Sequence, residues 1–311
     1  MVKNNSLVSV IMNCYNSDKY LKEAIDSVIA QTYNNWEIIF WDNQSTDDSS
    51  KIIHSYNDER IKYFYAPKHT LLGEARNSAL ENINGEYIAF LDCDDTWSLD
   101  KIKKQVREFK NNNKMGLCHT NYIMNDIVKS TRTVAHHIKL PIQNVSSDIV
   151  INYNNWKMGM SSIMISKEVI RYFKNDLFDP KLKLVEEYEF FCRVLKIFEI
   201  GYCKDVLVLF KWHGENNSIK YKKDWSFEYN YMAEKNYKYN FSIKEICYLE
   251  NTATFYKIKS YMFENMIIDA KNIRKNLLTT SFKYFLLKAL LLLPVKFVLI
   301  LKPLWKRGAY A

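Results

Sequence analysis

Residues that form flexible linkers or disulfide frameworks are scarce in this sequence. Seven glycines and five prolines among 311 residues argue against a long flexible linker. The six cysteines are scattered and include no CxxC pair, so we expect neither a zinc ribbon nor a disulfide framework, and we expect a reducing compartment. The first residues, Met1–Ser6, lack the apolar run of a secretion signal. With 48% hydrophobic residues, the chain can form one large domain or one domain with an appendage.

Acidic residues are absent from the last part of the chain. Between Ala270 and Ala311 there are nine Lys or Arg residues and no Asp or Glu, which leaves 35 residues of each sign in the preceding part. Because the net charge of +9 comes entirely from this tail, we expect no nucleic acid as a partner. The tail is also rich in Leu, Phe and Val, so a membrane surface is the better candidate.

Short β-branched segments alternate with amphipathic segments at the start of the chain. Strands are predicted over 8–12, 37–41, 61–65 and 87–91, with helices between them. This alternation predicts an α/β fold with a doubly wound, mostly parallel sheet. In such sheets ligands bind beyond the carboxyl ends of the strands, where Asp42 and Asp92 lie.

The second half is less regular. A helix is predicted over 186–197 and a strand over 206–212, and the pattern from 225 to 276 is aromatic and helical. The segment 114–156 shows no clear periodicity.

Three acids, Asp92, Asp94 and Asp95, follow the fourth predicted strand. Like charges this close repel unless a cation or strong donors neutralise them. Hard oxygen ligands suit Mg²⁺ or Mn²⁺, which complete their coordination with phosphate oxygens and water. The alternative is a solvated loop with helix-capping aspartates, but the position at the end of a buried parallel strand favours a metal site.

The order of several motifs resembles the inverting family 2 glycosyltransferases of the bacterial surface-glycan type. The matching segments are 8–16, 31–33, 41–47, 75–77 and 85–95, where the last ends in Asp92-Cys93-Asp94-Asp95. The resemblance implies a GT-A fold, which is Rossmann-like, with a helical C-terminal extension. It implies a nucleotide-sugar-binding half over 1–115, an acceptor-binding and catalytic half over 116–220, and an extension over 221–311.

The resemblance also implies roles for residues of the first half. The implied donor-binding residues are Asn13, Tyr15, Asp42, Arg76 and Asp92, and the implied metal ligand is Asp94. Asp42 would read the nucleobase and Asp92 would lie near the ribose and the metal. Tyr15 either stacks on the base or packs its own loop, and Arg76 either contacts the donor or forms a structural ion pair. Asp95 either joins the metal site or caps the following helix.

This chain departs from the family pattern at two places. Asn13 replaces a frequent proline, and Asn43-Gln44 replaces Asp-Gly. Gln44 prefers φ < 0, unlike glycine, which puts the geometry of the loop beside the base in question.

Direct displacement requires a carboxylate that takes the proton from the acceptor hydroxyl. The family supplies it from a Glu-Asp pair that opens a helix, and the matching residues are Glu186 and Glu187. Glu187 takes the position of the base, and Glu189 is a weaker candidate. The alternative is that these acids only favour the start of the helix. His213 resembles a late histidine of the family that approaches the metal or the diphosphate.

The tail from Phe282 to Trp305 is apolar but contains Lys288, Lys296 and Pro294. On a helical projection, Lys288, Lys296, Lys302 and Lys306 lie on one side of the helix. This pattern predicts a helix that lies on the membrane surface and does not span the bilayer. The alternative is a helix that folds back onto the catalytic domain.

The sequence therefore predicts a Mn²⁺- or Mg²⁺-dependent inverting glycosyltransferase. The expected donor is a nucleotide sugar, most simply a UDP-sugar, and the acceptor a hydroxyl of a glycan or lipid-linked molecule. We expect it in the cytoplasm, peripheral on the inner face of the cell membrane. A nucleotidyltransferase and a non-catalytic, membrane-attached nucleotide-sugar-binding protein are the alternatives. A dinucleotide-binding dehydrogenase is disfavoured because no GxGxxG follows the first strand.

Overall fold

The computed structural model describes residues 5–135, 158–174, 176–216, 220–221, 223–235, 240–278 and 282–299. The chain divides into two compact units, Met1–Asn216 and Asn217–Ala311.

The first unit begins with four strands that alternate with helices. In chain order these are β1 Val8–Cys14, α1 Asp18–Ile29, β2 Trp36–Asp42, α2 Ser49–His54, β3 Ile61–Tyr65, α3 Leu72–Leu80 and β4 Tyr87–Phe90. The four strands pair in parallel in the order β3-β2-β1-β4. This confirms the predicted α/β arrangement, because each parallel pairing needs a helical crossover.

The remainder of the first unit completes the same sheet. Its elements are β5 Thr96–Trp97, α4 Lys101–Asn111, β6 Met115–Asp126, β7 Thr131–Ala135, a 3₁₀ turn at Met160–Ser162, β8 Met164–Ser166, α5 Lys167–Phe173, α6 Glu186–Ile197 and β9 Glu199–Trp212. β8 lies antiparallel between β4 and β6, whereas β6 and β9 form a long parallel ladder. The irregular segment 114–156 therefore contains two strands, and its residues from 136 onward lie outside the described part of the chain.

Burial on both faces explains why the sequence of β1 is almost continuously apolar. Six of the seven residues of β1 are buried, since helices or loops cover both faces of the sheet. Helix α1 presents Leu21, Ala24, Ile25 and Val28 to this core.

The strand order brings the predicted site residues to one edge of the sheet. Cys14 at the end of β1 pairs with Asp42 at the end of β2. On its other side, β1 pairs with β4 in register Ile11↔Phe90, so Asp92 also emerges at this edge. Asp42 and Asp92 thus flank the carboxyl end of β1.

The second unit is helical. It contains α7 Trp225–Glu234, α8 Ile243–Phe263, α9 Ile267–Ile273, a 3₁₀ turn at Arg274–Asn276 and α10 Phe282–Leu290. A capping box between Ser242 and Glu245 begins α8. The unit has its own core, in which Leu287, Leu291 and Val298 are fully buried.

The tail is not one continuous helix. Helix α10 ends at Leu290, and helical structure resumes only at 295–299, after Pro294. Proline lacks the N–H for the helical ladder and clashes with the preceding turn. The prediction that Lys288 and Lys296 lie on one face of a single helix is therefore wrong, because the helix is interrupted between them. Residues 300–311 lie outside the described part of the chain. None of the described helices has the length and apolarity needed to cross a bilayer.

Gly85→Ala should destabilise the first unit. A Cβ at Gly85 would lie 2.5 Å from the backbone nitrogen of Ser9, which cannot move without disturbing β1. We expect the free energy of unfolding to fall by about 2–3 kcal/mol. Chemical denaturation measures this loss, and Glu86→Ala, at the exposed neighbouring position, should stay within about 0.5 kcal/mol of the wild type. Equal stability of the two variants would contradict this packing.

Candidate active site

Residues after β4 form an acidic loop that is anchored by buried hydrogen bonds. The Ser161 hydroxyl donates to Asp95 over 2.6 Å and accepts the Asp92 N–H over 3.1 Å. The Lys211 N–H of β9 donates to the other Asp95 oxygen over 3.0 Å. Burial, together with the carboxylates of Asp94 and Asp92, raises the pKa of Asp95 well above its usual range. Asp95 therefore ties β4 to β9 through this loop.

The two alternatives offered for Asp95 find no support in this geometry. It does not cap the following helix, because α4 begins at Lys101 with Asp100 as its N-cap residue. Its carboxylate is 2% exposed and both of its oxygens accept hydrogen bonds from the protein. Asp95 therefore stabilises the loop, and it is not placed to bind a metal ion.

The predicted metal ligands lie side by side. His213 follows β9, and its Nε2 lies 3.0 Å from Oδ2 of Asp94. Two neighbouring ligands in an octahedral shell with bonds of about 2.1 Å are also about 3 Å apart. A carboxylate oxygen and an imidazole nitrogen are both suitable ligands for Mn²⁺. Asp94 and His213 therefore fit a divalent cation.

A cation at this position would need further ligands from outside the protein. Within the described ranges, no cluster of three or more His, Cys, Asp or Glu side chains could hold a metal ion. Mg²⁺ and Mn²⁺ commonly take one or two protein ligands and complete the shell with substrate phosphates and water. The pair Asp94 and His213 matches this kind of open site.

A buried arginine connects the acidic loop to helix α6. Arg76 of α3 donates to Oε1 of Glu186 over 2.8 Å and contacts Oδ1 of Asp92 at 3.4 Å. Its side chain is 3% exposed, so the ion pair forms away from solvent. The structural ion pair considered for Arg76 is thus present, and it fixes the start of α6 next to the end of β4.

Glu187 occupies the first turn of α6 beside this ion pair. Burial raises the pKa of Glu187 to about 8, and the carboxylates of Glu186 and Asp92 add to the effect. The Arg76 guanidinium and the Met160 N–H oppose it. A carboxyl group with a pKa in this range can both accept and release a proton near neutral pH.

Glu189 is excluded as the alternative base. It is fully buried, and Arg193 donates to both of its carboxylate oxygens, over 2.6 and 2.8 Å. A paired and inaccessible carboxylate cannot reach an acceptor hydroxyl.

Asn13 and Tyr15 lie at and just beyond the end of β1. Tyr15 is 46% exposed, and its ring packs against His69 with centroids 4.2 Å apart. The side-chain nitrogen of Asn13 is buried and has no hydrogen-bond partner among the described residues. An exposed aromatic ring and a free amide donor are both suited to a bound nucleotide.

Asp42 stabilises its own loop in this structure. It is fully buried, accepts the Ser45 N–H over 2.7 Å and accepts the Tyr63 hydroxyl over 2.8 Å. Because the side chain is not exposed in this structure, its base-reading role stays a prediction. The neighbouring Gln44 adopts φ 68°, the conformation that glycine would favour. The substitution at this position therefore retains the tight turn, at a cost of about 1–2 kcal/mol.

Two residues near the site were missed by the sequence analysis. His69 contacts Tyr15, and Asn216 contacts both Asp94 and His213. Asn216 carried a signal, because it lies three residues after the predicted ligand His213. His69 approaches the site from a distant loop. Ser161, which anchors the acidic loop, lies in the segment 161–166 that resembles the acceptor-side strand of the family.

The sequence and the fold both match known glycosyltransferases. The model of the family described as Glycosyl transferase family 2 matches residues 9–173. This match covers more than half of the chain, so the protein belongs to glycosyl transferase family 2 and is a glycosyltransferase, as the motifs predicted.

Two bacterial relatives match over part of their length. The chain is 41% identical over 164 residues to the putative teichuronic acid biosynthesis glycosyltransferase TuaG of Bacillus subtilis, covering 52% of this chain and 63% of TuaG. It is 38% identical over 107 residues to the Escherichia coli UDP-Glc:alpha-D-GlcNAc-diphosphoundecaprenol beta-1,3-glucosyltransferase WfgD, covering 34% of this chain and 42% of WfgD. The chain thus spans less than two thirds of either relative.

Solved structures share the fold. The 1–349 fragment of S. aureus TarS in complex with UDP-GlcNAc matches with a TM-score of 0.64 at 17% identity, over 97% of this chain and 92% of that one. The mannosyltransferase PcManGT of Pyrobaculum calidifontis, in complex with GDP-Man and Mn²⁺, matches with a TM-score of 0.59 at 13% identity, over 98% and 88%. These matches confirm the predicted GT-A fold.

Glu187→Gln should stabilise the metal-free protein at alkaline pH. Folding raises the pKa of Glu187 from 4.5 to about 8. The folded state therefore binds more protons than the unfolded state between these values, and stability falls as the pH rises through this window. Glutamine stays neutral, so we expect the variant to be about 1–3 kcal/mol more stable than the wild type at pH 8.5 and about equal to it near pH 4.5.

Chemical denaturation in EDTA at the two pH values measures this difference. Glu168→Gln changes a side chain that is 64% exposed, and it should show no such pH dependence. A Glu187→Gln variant no more stable than the wild type at pH 8.5 would contradict the raised pKa.

Proposed function

We propose that this protein is an inverting glycosyltransferase that moves a sugar from a UDP-sugar to a hydroxyl of a glycan or lipid-linked acceptor. The UDP-GlcNAc bound to TarS and the UDP-Glc in the description of WfgD support a uridine nucleotide. The diphosphoundecaprenol acceptor in that description supports a lipid-linked acceptor. The teichuronic acid assignment of TuaG supports a role in surface polysaccharide synthesis.

The observation that carries this proposal is the ion pair between Arg76 and Glu186. It joins residues that are 110 positions apart. Glu187 follows Glu186 directly, and the charge of Asp92 acts on its carboxyl group, which supports a site shared by the two acids. The same guanidinium contacts Asp92, two positions before Asp94. A proton acceptor and a divalent-cation site on the same side of the sheet are the two groups that direct displacement requires.

The roles of the residues follow from their chemistry. Asp94 and His213 would hold Mn²⁺ or Mg²⁺, which stabilises the negative charge of a leaving diphosphate when it is bound. Tyr15 and Asn13 contact the nucleotide, and Asp92 lies between the ribose and the metal site. Glu187 accepts the proton of the acceptor hydroxyl while that oxygen attacks the anomeric carbon, and the bond to the diphosphate breaks. Attack opposite to the leaving group inverts the anomeric centre.

Glu187→Gln should abolish transfer without abolishing donor binding. We expect kcat to fall by at least about 100-fold, because the amide cannot accept the proton.

Asp94→Ala should instead remove Mn²⁺-dependent donor binding. A panel of UDP-, GDP- and dTDP-sugars, tested with Mn²⁺ by thermal shift, identifies the donor for both assays.

Two outcomes of these assays would contradict the proposal. Transfer at the normal rate by Glu187→Gln would remove this residue from the mechanism. A wild-type protein that binds the donor but releases no free sugar from it in the presence of Mn²⁺ would be a nucleotide-sugar-binding protein. Glu168→Gln, at an exposed site on α5, serves as the matched control.

We also propose that the tail binds an anionic membrane surface. The exposed large apolar side chains of α10 and of the described residues after it are Phe285, Leu286, Leu292, Leu293, Val295, Phe297 and Leu299. The tail adds lysines and no acid, which complements anionic headgroups. An exposed apolar surface with basic residues is typical of attachment within the headgroup region.

Leu292→Asp combined with Phe297→Asp should weaken vesicle binding. These side chains are 66% and 52% exposed, so the core of the second unit should be preserved. We expect the wild type to sediment with phosphatidylglycerol-containing vesicles but not with pure phosphatidylcholine, and the variant to bind at least about tenfold more weakly.

The control is Ile243→Asp combined with Phe227→Asp, which adds the same two charges at positions that are 82% and 64% exposed on α8 and α7. It should bind vesicles like the wild type. Equal binding by the tail variant and the wild type would rule out attachment through this surface.

A further inference from the structure

Asn216 makes four contacts within the loop that follows β9. Its Oδ1 accepts the N–H of His213 over 3.0 Å, and its Nδ2 donates to the Lys211 carbonyl over 3.2 Å. The same Nδ2 lies 3.4 Å from Oδ2 of Asp94 and 3.4 Å from Nε2 of His213. One amide group thus contacts both proposed metal ligands.

These partners determine which way the amide faces. A backbone N–H can only donate, so the atom next to it must be the oxygen. The NH₂ group then faces the Lys211 carbonyl, Asp94 and His213. One hydrogen of the NH₂ group is donated to the Lys211 carbonyl, and the other is directed toward Asp94 and His213.

The tight loop depends on Gly214. This residue adopts φ 85°, which side chains other than glycine rarely tolerate. The turn brings Asn216 back toward His213, so that its amide reaches both the backbone and the ring of that residue.

Asn216 is suited to hold the ligands and not to coordinate the cation itself. Its oxygen already accepts the His213 N–H, and its nitrogen carries hydrogens and cannot bind a metal. Nε2 of His213 has a single lone pair, so a bound cation would replace the 3.4 Å contact from Asn216, whereas the hydrogen bonds of Asn216 to the backbone of Lys211 and His213 would remain.

The ring of His213 has few polar contacts. Its Nε2 lies beside Asp94, whereas Nδ1 makes no hydrogen bond to any described residue, and the Glu215 carboxylate is 3.9 Å from Nδ1. The ring packs against Tyr20 with centroids 5.2 Å apart. Asn216 holds His213 mainly through the backbone N–H of that residue, a hydrogen bond that uses neither ring nitrogen.

We propose that Asn216 is a positioning residue that sets the spacing and orientation of Asp94 and His213 before the cation binds. This inference rests on the proposed function, since it assumes that these two residues hold a divalent metal. It predicts that the loss of the amide weakens metal binding without impairing the chemical step.

Direct titration of the full-length protein with Mn²⁺, followed by the electron paramagnetic resonance signal of the free ion, tests this inference. We expect Asn216→Ala to raise the Kd for Mn²⁺ by about 10–100-fold. Turnover of the variant should return to the wild-type kcat at saturating Mn²⁺, and its Tm in EDTA should equal that of the wild type. A merely structural role would lower the Tm and would not be rescued by metal.

Matched variants separate the possible outcomes. Asn82→Ala removes a part-buried amide whose nitrogen donates to the Ser78 carbonyl, far along the chain from this loop, and should leave the Kd unchanged. If Asn216→Ala does not fold, Asn216→Gln keeps the amide but displaces it by one methylene, and it should also raise the Kd.

Two results would overturn the inference in different ways. Loss of Mn²⁺ affinity in Asp94→Ala with normal affinity in Asn216→Ala would remove the role of Asn216 alone. Unchanged affinity in Asp94→Ala would show that the cation binds elsewhere, and the metal site of the proposed function would fail as well.

Discussion

Carboxylates around the buried guanidinium of Arg76 form the constraint on which the site depends. Asp92, Glu186 and Glu187 interact with this guanidinium, and Asp94 and Asp95 lie close to Asp92. Bringing so many acids together costs free energy unless cations or donors compensate. Arg76 partly compensates by contacting Asp92 after β4 and Glu186 at the start of α6. Because these residues belong to distant parts of the chain, the contacts also fix the start of α6 next to the end of β4.

The compensation is incomplete, and the remaining negative charge has chemical consequences. Burial raises the pKa of Glu187, and the carboxylates of Glu186 and Asp92 raise it further. Asp94 lies next to the imidazole of His213. The excess negative charge would suit the proposed divalent cation and the proposed base, and it destabilises the folded protein. Residues that perform chemistry are commonly held at such a cost to stability.

The regular part of the fold could be predicted because it is encoded locally. The predicted strand 61–65 and the predicted helix 186–197 match β3 and α6, since short β-branched runs and helical spacing are properties of neighbouring residues. β9 was predicted from 206 but begins at Glu199, because Lys204 and Asp205 interrupt its apolar pattern. The ladder between β6 and β9 shifts register near the same place, which no local pattern reveals.

The sequence by itself determined the kinds of groups in the site: acids after a buried strand, a Glu-Glu pair at a helix start and a histidine after a late strand. Only the tertiary structure decided their partners. It paired Glu189 with Arg193, and it placed Glu187 beside the ion pair of Arg76 and Glu186. It also placed His213 beside Asp94, 119 positions away. The physical reason is that periodicity along the chain fixes which face a residue occupies, whereas partners across a sheet depend on strand order and register.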